Sequence, residues 1–220
     1  MRKYSGSGFY AVGGILLTST VGWALDPGDY LVYSKGSYSL RPHLDLSETF
    51  NDNVYYDGED RVSDFITTIS PGLTFQLGTE EANYISLSYI YDRLEYFDES
   101  NLSANQHRIL HNSHVKINRL TIDGRDQIDF LSSVLGGGIS LTGVKISRTT
   151  YVDEYRFTYD FSERTAAYVQ GSHITSDYDD DLPLFDSNTL MGTAGFEYEA
   201  FSRTHLFGEI YYGQTASDPN

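Results

Sequence analysis

"DFITTISPGLTFQLG", residues 64–78, places Phe65, Thr67, Ile69, Leu73, Phe75 and Leu77 at alternate positions. The intervening set is Asp64, Thr68, Ser70, Thr74 and Gln76, broken only by Ile66 and Gly72. Side chains alternate across a β-strand, so this stretch predicts a strand with one greasy and one wet face. What covers the greasy face, a packed protein core or the tails of lipids, decides the fold.

The same period recurs along the chain. Tyr38, Leu40, Pro42, Leu44 and Leu46 alternate with Ser39, Arg41, His43, Asp45 and Ser47. Ile85, Leu87, Tyr89 and Tyr91 alternate with Ser86, Ser88 and Asp92; Tyr155, Phe157, Tyr159 and Phe161 alternate with Glu154, Arg156, Thr158 and Asp160. Leu190, Gly192, Ala194, Phe196, Tyr198 and Ala200 repeat the pattern against Thr189, Thr193, Glu197 and Glu199. Composition agrees, with 19 Tyr, 20 Gly and 5 Pro in 220 residues, a strand-and-turn inventory rather than a helical one. About nine strands are expected, near 38–49, 64–77, 84–97, 104–117, 121–132, 145–161, 166–177, 188–201 and 205–215. A tenth strand is allowed within 104–144, where Asp126 interrupts the apolar set. Pro71 lacks an N–H, which predicts a bulge or a sheet edge there.

The connections fall into two kinds. Short turns are expected at 78–83, 118–121, 162–165 and 202–204, and longer wet loops at 51–63, 98–101, around 136–138 and at 177–187. Echoes at 160–168 ("DFSERTAAY") and 199–207 ("EAFSRTHLF") mark the hairpin repeat. Transmembrane barrels sort short turns and long loops to opposite ends, whereas a soluble sandwich has no reason to. The expected fold is therefore an all-β, antiparallel up-and-down transmembrane β-barrel, an incomplete one of nine to ten strands. Its wet lumen would be lined by Arg41, Asp45, Asp92, Glu154, Arg156, Asp160, Glu197 and Glu199. A salt-bridge ladder between neighbouring strands is the structural alternative for these charges. Tyr89, Tyr91, Tyr96, Phe97, Tyr159 and Phe161 are expected to form aromatic girdles at the membrane interfaces.

The N-terminus "MRKYSGSGFYAVGGILLTSTVGWALD" carries Arg2 and Lys3, an apolar stretch from Phe9 to Trp23 and small residues Gly22 and Ala24. That is the layout of a secretory signal peptide, with cleavage expected after Ala24. The domain expectation is a signal peptide at 1–24, an N-terminal segment at 25–37, the barrel at 38–215 and a tail at 216–220. The formal net charge is −16, and losing the leader removes two cations and no acid. Such a surface repels nucleic acid. The absence of Cys excludes a disulfide framework.

"LRPHLDLSETFNDNVY" (40–55) followed by "DFITTISPGL" (64–73) resembles the opening strands of the β-barrel porin 2 family of bacterial outer-membrane proteins. Tight Ser-x-x-Thr turns feeding Tyr-rich strands extend the likeness over about residues 38–215. The resemblance implies residence in the outer membrane of a Gram-negative cell, insertion by the barrel-assembly machinery and, from some relatives, a link to exopolysaccharide export. Members of that family are generally longer and end on a strand with a terminal aromatic. This sequence stops at "GQTASDPN", which puts closure and pore size in question.

The remaining constellations point away from catalysis. His107, His111 and His114 cannot converge from one strand, because His114 falls on the opposite face. No Gly-x-Ser-x-Gly elbow is present, and 135–145 lacks the ending of a phosphate-binding loop. Asp177, Asp179, Asp180, Asp181 and Asp186 read as a solvated loop, able to bridge to anionic lipopolysaccharide through divalent ions. No enzyme, cofactor or metal is expected. The functional expectation is a porin-like barrel that passes or helps export polar solutes, polysaccharide among them. The alternatives are a plugged structural barrel and a secreted all-β carbohydrate-binding module.

Overall fold

A computed structural model of the chain describes residues 32–80, 82–134, 145–178, 185–201 and 204–219. The leader, the Gly run at 136–138 and the acidic positions Asp179, Asp180 and Asp181 lie outside the described residues. Ten strands succeed one another: β1 (Tyr33–Lys35), β2 (Tyr38–Asn51), β3 (Asp64–Gly78), β4 (Tyr84–Tyr96), β5 (Ala104–Ile117), β6 (Leu120–Val134), β7 (Lys145–Ser162), β8 (Thr165–Tyr178), β9 (Phe185–Phe201) and β10 (Thr204–Pro219). Each pairs antiparallel with the next, giving one up-and-down sheet in chain order. β1 and β10 are its edges and do not pair with each other, so the sheet is open.

The connections sort by length. Segments 36–37, 79–83, 118–119, 163–164 and 202–203 separate strands at one end, and segments 52–63, 97–103, 135–144 and 179–184 separate them at the other. Three of the reversals use left-handed backbone, at Gly36 (φ 66°), Gly78 (φ 88°) and Asn118 (φ 54°). Gly and Asn tolerate that region at least cost.

Three details depart from the sequence reading. The tenth strand is β1, within the N-terminal segment; the stretch 104–134 holds only β5 and β6. The expected tail continues β10 as far as Pro219. Pro71 sits neither at a bulge nor at an edge, because β3 is an interior strand. It keeps register with Leu44 on β2, while the β3–β4 pairing simply skips from Ile69↔Arg93 to Gly72↔Ile90 without a shift. A local gap in one ladder absorbs the missing donor.

Register keeps the two faces in phase across the sheet. Leu40, Pro42 and Leu46 pair with Phe75, Leu73 and Ile69; Phe75 and Leu77 then pair with Leu87 and Ile85. The apolar face is the exposed one, with Leu44 at 61 %, Leu46 at 68 %, Leu87 at 52 % and Phe75 at 45 %. The polar face holds the sheltered positions, Gln76 at 4 % and Asp129 at 7 %, beside charges such as Arg41 and Glu197 that stay exposed. A soluble domain arranges these the other way round.

On both faces, rings lie across glycines of the neighbouring strand. His43 covers Gly72, Tyr155 covers Gly124 and Tyr168 covers Gly195, and each is a directly opposed pair. A Cβ at any of these glycines would run into the ring. Aromatic side chains laid over strand glycines pin register in this way. Gly195→Val, which must displace the Tyr168 ring, should therefore cost about 1–3 kcal/mol. Gly208→Ala, whose added methyl meets nothing within 4 Å, should be close to neutral. Urea unfolding of the two variants in detergent checks the contrast.

Candidate functional site

The polar face carries a network of cross-strand pairs. Arg108 Nε donates to Asp129 Oδ1 at 2.8 Å, and His114 Nδ1 meets Asp123 Oδ1 at 2.6 Å. Lys116 Nζ reaches Asp160 at 3.0 Å, Arg156 reaches Glu197 at 3.1 Å and Gln170 donates to Glu154 at 2.7 Å. Arg156 also lies over the Tyr168 ring, 3.7 Å from its centroid, while the Tyr168 hydroxyl donates to Glu209 at 2.8 Å. Tyr168 is thus held by Gly195 beneath it, a guanidinium above it and a carboxylate at its tip. A depression of about 410 Å³ is lined by Tyr84, Asn112, Arg125, Glu154, Arg156 and Gln170 among others.

Pairing places all eight expected lining residues on this polar face: Arg41 and Asp45 oppose Thr74 and Ser70, Asp92 opposes Gln106, and Glu197 opposes Ala166. Glu154, Arg156 and Asp160 share a face of β7, and Glu199 shares that of Glu197 on β9. They do not form one cluster. Arg41 stands on β2, 4.0 Å from Glu80, while Arg156 and Asp160 take partners from other strands. The pairs make a ladder whose members still face the open side of the sheet.

At the loop end, Asp64 is a buried carboxylate that accepts the backbone N–H of Phe65, Asp98 and Glu99 at 2.7–3.2 Å. It ties the start of β3 to the 97–103 connection. Tyr55 donates its hydroxyl to Glu99 at 2.5 Å and Asn101 donates to Tyr55, so the 52–63 loop is fastened to the same connection. The Glu99 carboxylate raises the Tyr55 pKa above its ordinary value by holding the phenol proton. Asp57 accepts N–H groups of Glu59 and Asp60, which hold its carboxyl below the ordinary aspartate range. A lowered carboxyl favours the folded loop above the ordinary value and loses that contribution only as pH falls through the folded one.

The aromatic expectation divides. Tyr89 and Tyr91 lie on the apolar face around His107, with the Tyr89 hydroxyl 2.7 Å from His107 Nδ1, and Tyr159 and Phe161 meet edge to face at 5.1 Å near the opposite end. Phe97 is exposed just past β4. Tyr96 falls on the polar face with its strand neighbours Leu94 and Asp92, because it is one residue out of phase with Tyr89 and Tyr91.

A row of ionisable side chains interrupts the apolar face. His111, Asp126, Asp153 and His173 are successive register partners on β5, β6, β7 and β8, in line with Phe75 and Leu87. His111 Nδ1 lies 2.5 Å from Asp126 Oδ2, Tyr155 donates to the same oxygen at 2.8 Å, and His173 stands 3.7 Å from Asp153. Sequence reading missed this row, registering Asp126 only as a break in periodicity. The signal was the shared parity of His111 and Asp126 in adjacent strands, which becomes meaningful once register is fixed. His107 and His111 do share a face and His114 does not. No group of three or more His, Asp or Glu with metal-site geometry occurs among the described residues.

No protein-family model, curated protein or solved structure matches the chain. The class defined by the fold is a ten-stranded antiparallel meander whose apolar face is exposed.

Removing the Asp64 carboxylate leaves three backbone donors unanswered at a buried position. Asp64→Ala should therefore loosen the 52–63 loop and cost about 2–3 kcal/mol. Limited proteolysis should cut Asp64→Ala within that loop at protease levels that leave the parent chain whole.

Proposed function

We propose that the chain is a porin-like outer-membrane β-barrel protein that passes or helps export polar solutes, with polysaccharide as the favoured cargo class. The observation that carries this reading is the segregation of its faces: large apolar side chains stand exposed on one side and the charges share the other. Fully burying one such side chain is worth about 1.5–3 kcal/mol. Leaving so many half-covered in water would consume a margin that totals only about 5–15 kcal/mol for a folded protein. Lipid tails remove that cost. Spanning needs about 9–11 tilted residues per strand, and β2 to β10 each offer 13 or more.

Localisation in the outer membrane after leader cleavage, assembly by the barrel-insertion machinery and contact with lipopolysaccharide belong to the same proposal. The likeness of residues 40–55 and 64–73 to the β-barrel porin 2 family supports it, as does the sorting of turns from loops. On the polar face, Arg156 and its partners would supply the field that a solute meets.

Arg156→Ala should shift selectivity toward cations, because it removes a positive charge beside Glu197 and Glu154. Reversal potentials across planar bilayers under a salt gradient measure this. Selectivity identical to the parent would remove Arg156 from the conduction path, and absence of any conductance would contradict an open pore.

A further inference from the structure

The ionisable row on the apolar face contains the parts of an acyl-transfer site. We propose that Ser113, His111 and Asp126 form a serine-hydrolase triad on the outward face of the sheet, acting on the carboxylic esters of membrane lipids. The proposal rests on the lipid-facing half of the reading above and is independent of whether the polar face conducts.

Register and chemistry converge on these three residues. His111 and Ser113 stand two apart on β5, hence on one face, and their partners on β6 are Asp126 and Gly124. A carboxylate can only accept, so the 2.5 Å contact between Asp126 and His111 fixes the imidazole proton on Nδ1. In the neutral ring Nε2 is then the basic nitrogen, which is the tautomer a general base requires. The Tyr155 hydroxyl donates to Asp126 at 2.8 Å and holds that carboxylate from the other side.

The nucleophile's surroundings fit. Among the described residues Ser113 Oγ makes no hydrogen bond, so its contact with His111 closes only once the ester is bound, and it leans over Gly124, where a Cβ would come within 2.7 Å of it. Gly124 thus opens a hollow between Ser113 and the Tyr155 ring. Ile109 and Val115 continue the same face of β5, and Leu87 and Ile85 oppose His111 and Ser113 from β4. Acyl chains lying along this surface would bring their ester groups to the polar row that Ser113 borders. The substrate class follows from that setting: a long-chain carboxylic ester presented by a membrane, not a soluble glycan.

In the first step His111 Nε2 takes the Ser113 proton as Oγ attacks the ester carbonyl. The carbon–oxygen bond to the glycerol breaks, and His111 returns the proton to the departing alcohol, leaving a lysolipid and acyl-Ser113. Water, deprotonated by His111, then hydrolyses the acyl-serine to a fatty acid and free Ser113. Ser113 and His111 are catalytic residues, whereas Asp126 and Tyr155 are positioning residues.

The test uses the mature chain in phospholipid vesicles, with folding followed by the mobility difference of boiled and unboiled samples on an SDS gel. The parent should release fatty acid from ester-linked but not ether-linked phospholipid. It should also take up an alkyl fluorophosphonate at Ser113, located by peptide mass. Ser113→Ala should abolish both while keeping the gel shift, and Asp126→Asn should lower kcat by roughly 100-fold or more with little change in KM. If Asp126→Asn fails to insert, Tyr155→Phe serves in its place, with a smaller fall in kcat. A folded, membrane-inserted parent that releases no fatty acid and takes no label overturns the proposal, as does release that survives in Ser113→Ala. A parent that never enters the vesicles overturns the lipid-facing reading instead. The labelling arm in detergent still judges the triad in that case, and a Ser113 that stays unlabelled sinks it.

Discussion

Antiparallel register is the constraint from which the other features of this sheet follow. A strand's period of two gives it two faces, but only the pairing decides which neighbouring residues share them. Between β2 and β9 the ladders hold phase, and the register shifts at Asp160/Ser162 and Thr204/His205 both lie beside turns at the short end. Had either shift fallen mid-strand, Phe157 or Phe196 would have crossed to the charged side. The rings laid over Gly72, Gly124 and Gly195 hold the same register, since sliding any of these strands by one residue would drive a ring into a Cβ.

Two consequences separate cleanly. The polar face gathers mixed-charge pairs that neutralise one another locally, as in Arg108–Asp129 and Arg156–Glu197. Exposed pairs such as Arg156–Glu197 contribute little stability, and their worth lies in the field they present. The apolar face has the opposite logic. Its exposed Leu, Phe and Tyr side chains tolerate an interruption only where ionisable groups satisfy each other, and the His111–Asp126–Tyr155 set does so. Ionisable groups on a lipid-facing surface are costly enough that function is the first explanation for them.

Much of this was legible in the sequence. The alternation at 64–78 and 151–161 needed no structure, because each strand carries its own pattern. The eight charges fell on one face for the same reason. What the sequence hid depends on partners. β1 is three residues long, too short for periodicity, and exists because β2 templates it. Pro71 looked disruptive because a lone strand does not reveal that β4 leaves a gap beside it. Asp126 looked like a blemish in β6 until His111 and Tyr155 arrived from β5 and β7. Tyr96 joined the wrong face because it was grouped with other aromatics by proximity and not by parity.

The central claim is that Phe75 meets lipid while its neighbour Gln76 meets water. The chain contains no Cys, so single spin labels report without background. Phe75→Cys and Gln76→Cys, each labelled and placed in vesicles, should differ in relaxation by dissolved oxygen and by a water-soluble nickel complex. The account predicts oxygen-dominated relaxation at position 75 and nickel-dominated relaxation at position 76. Equal access of the nickel complex to both positions would contradict it.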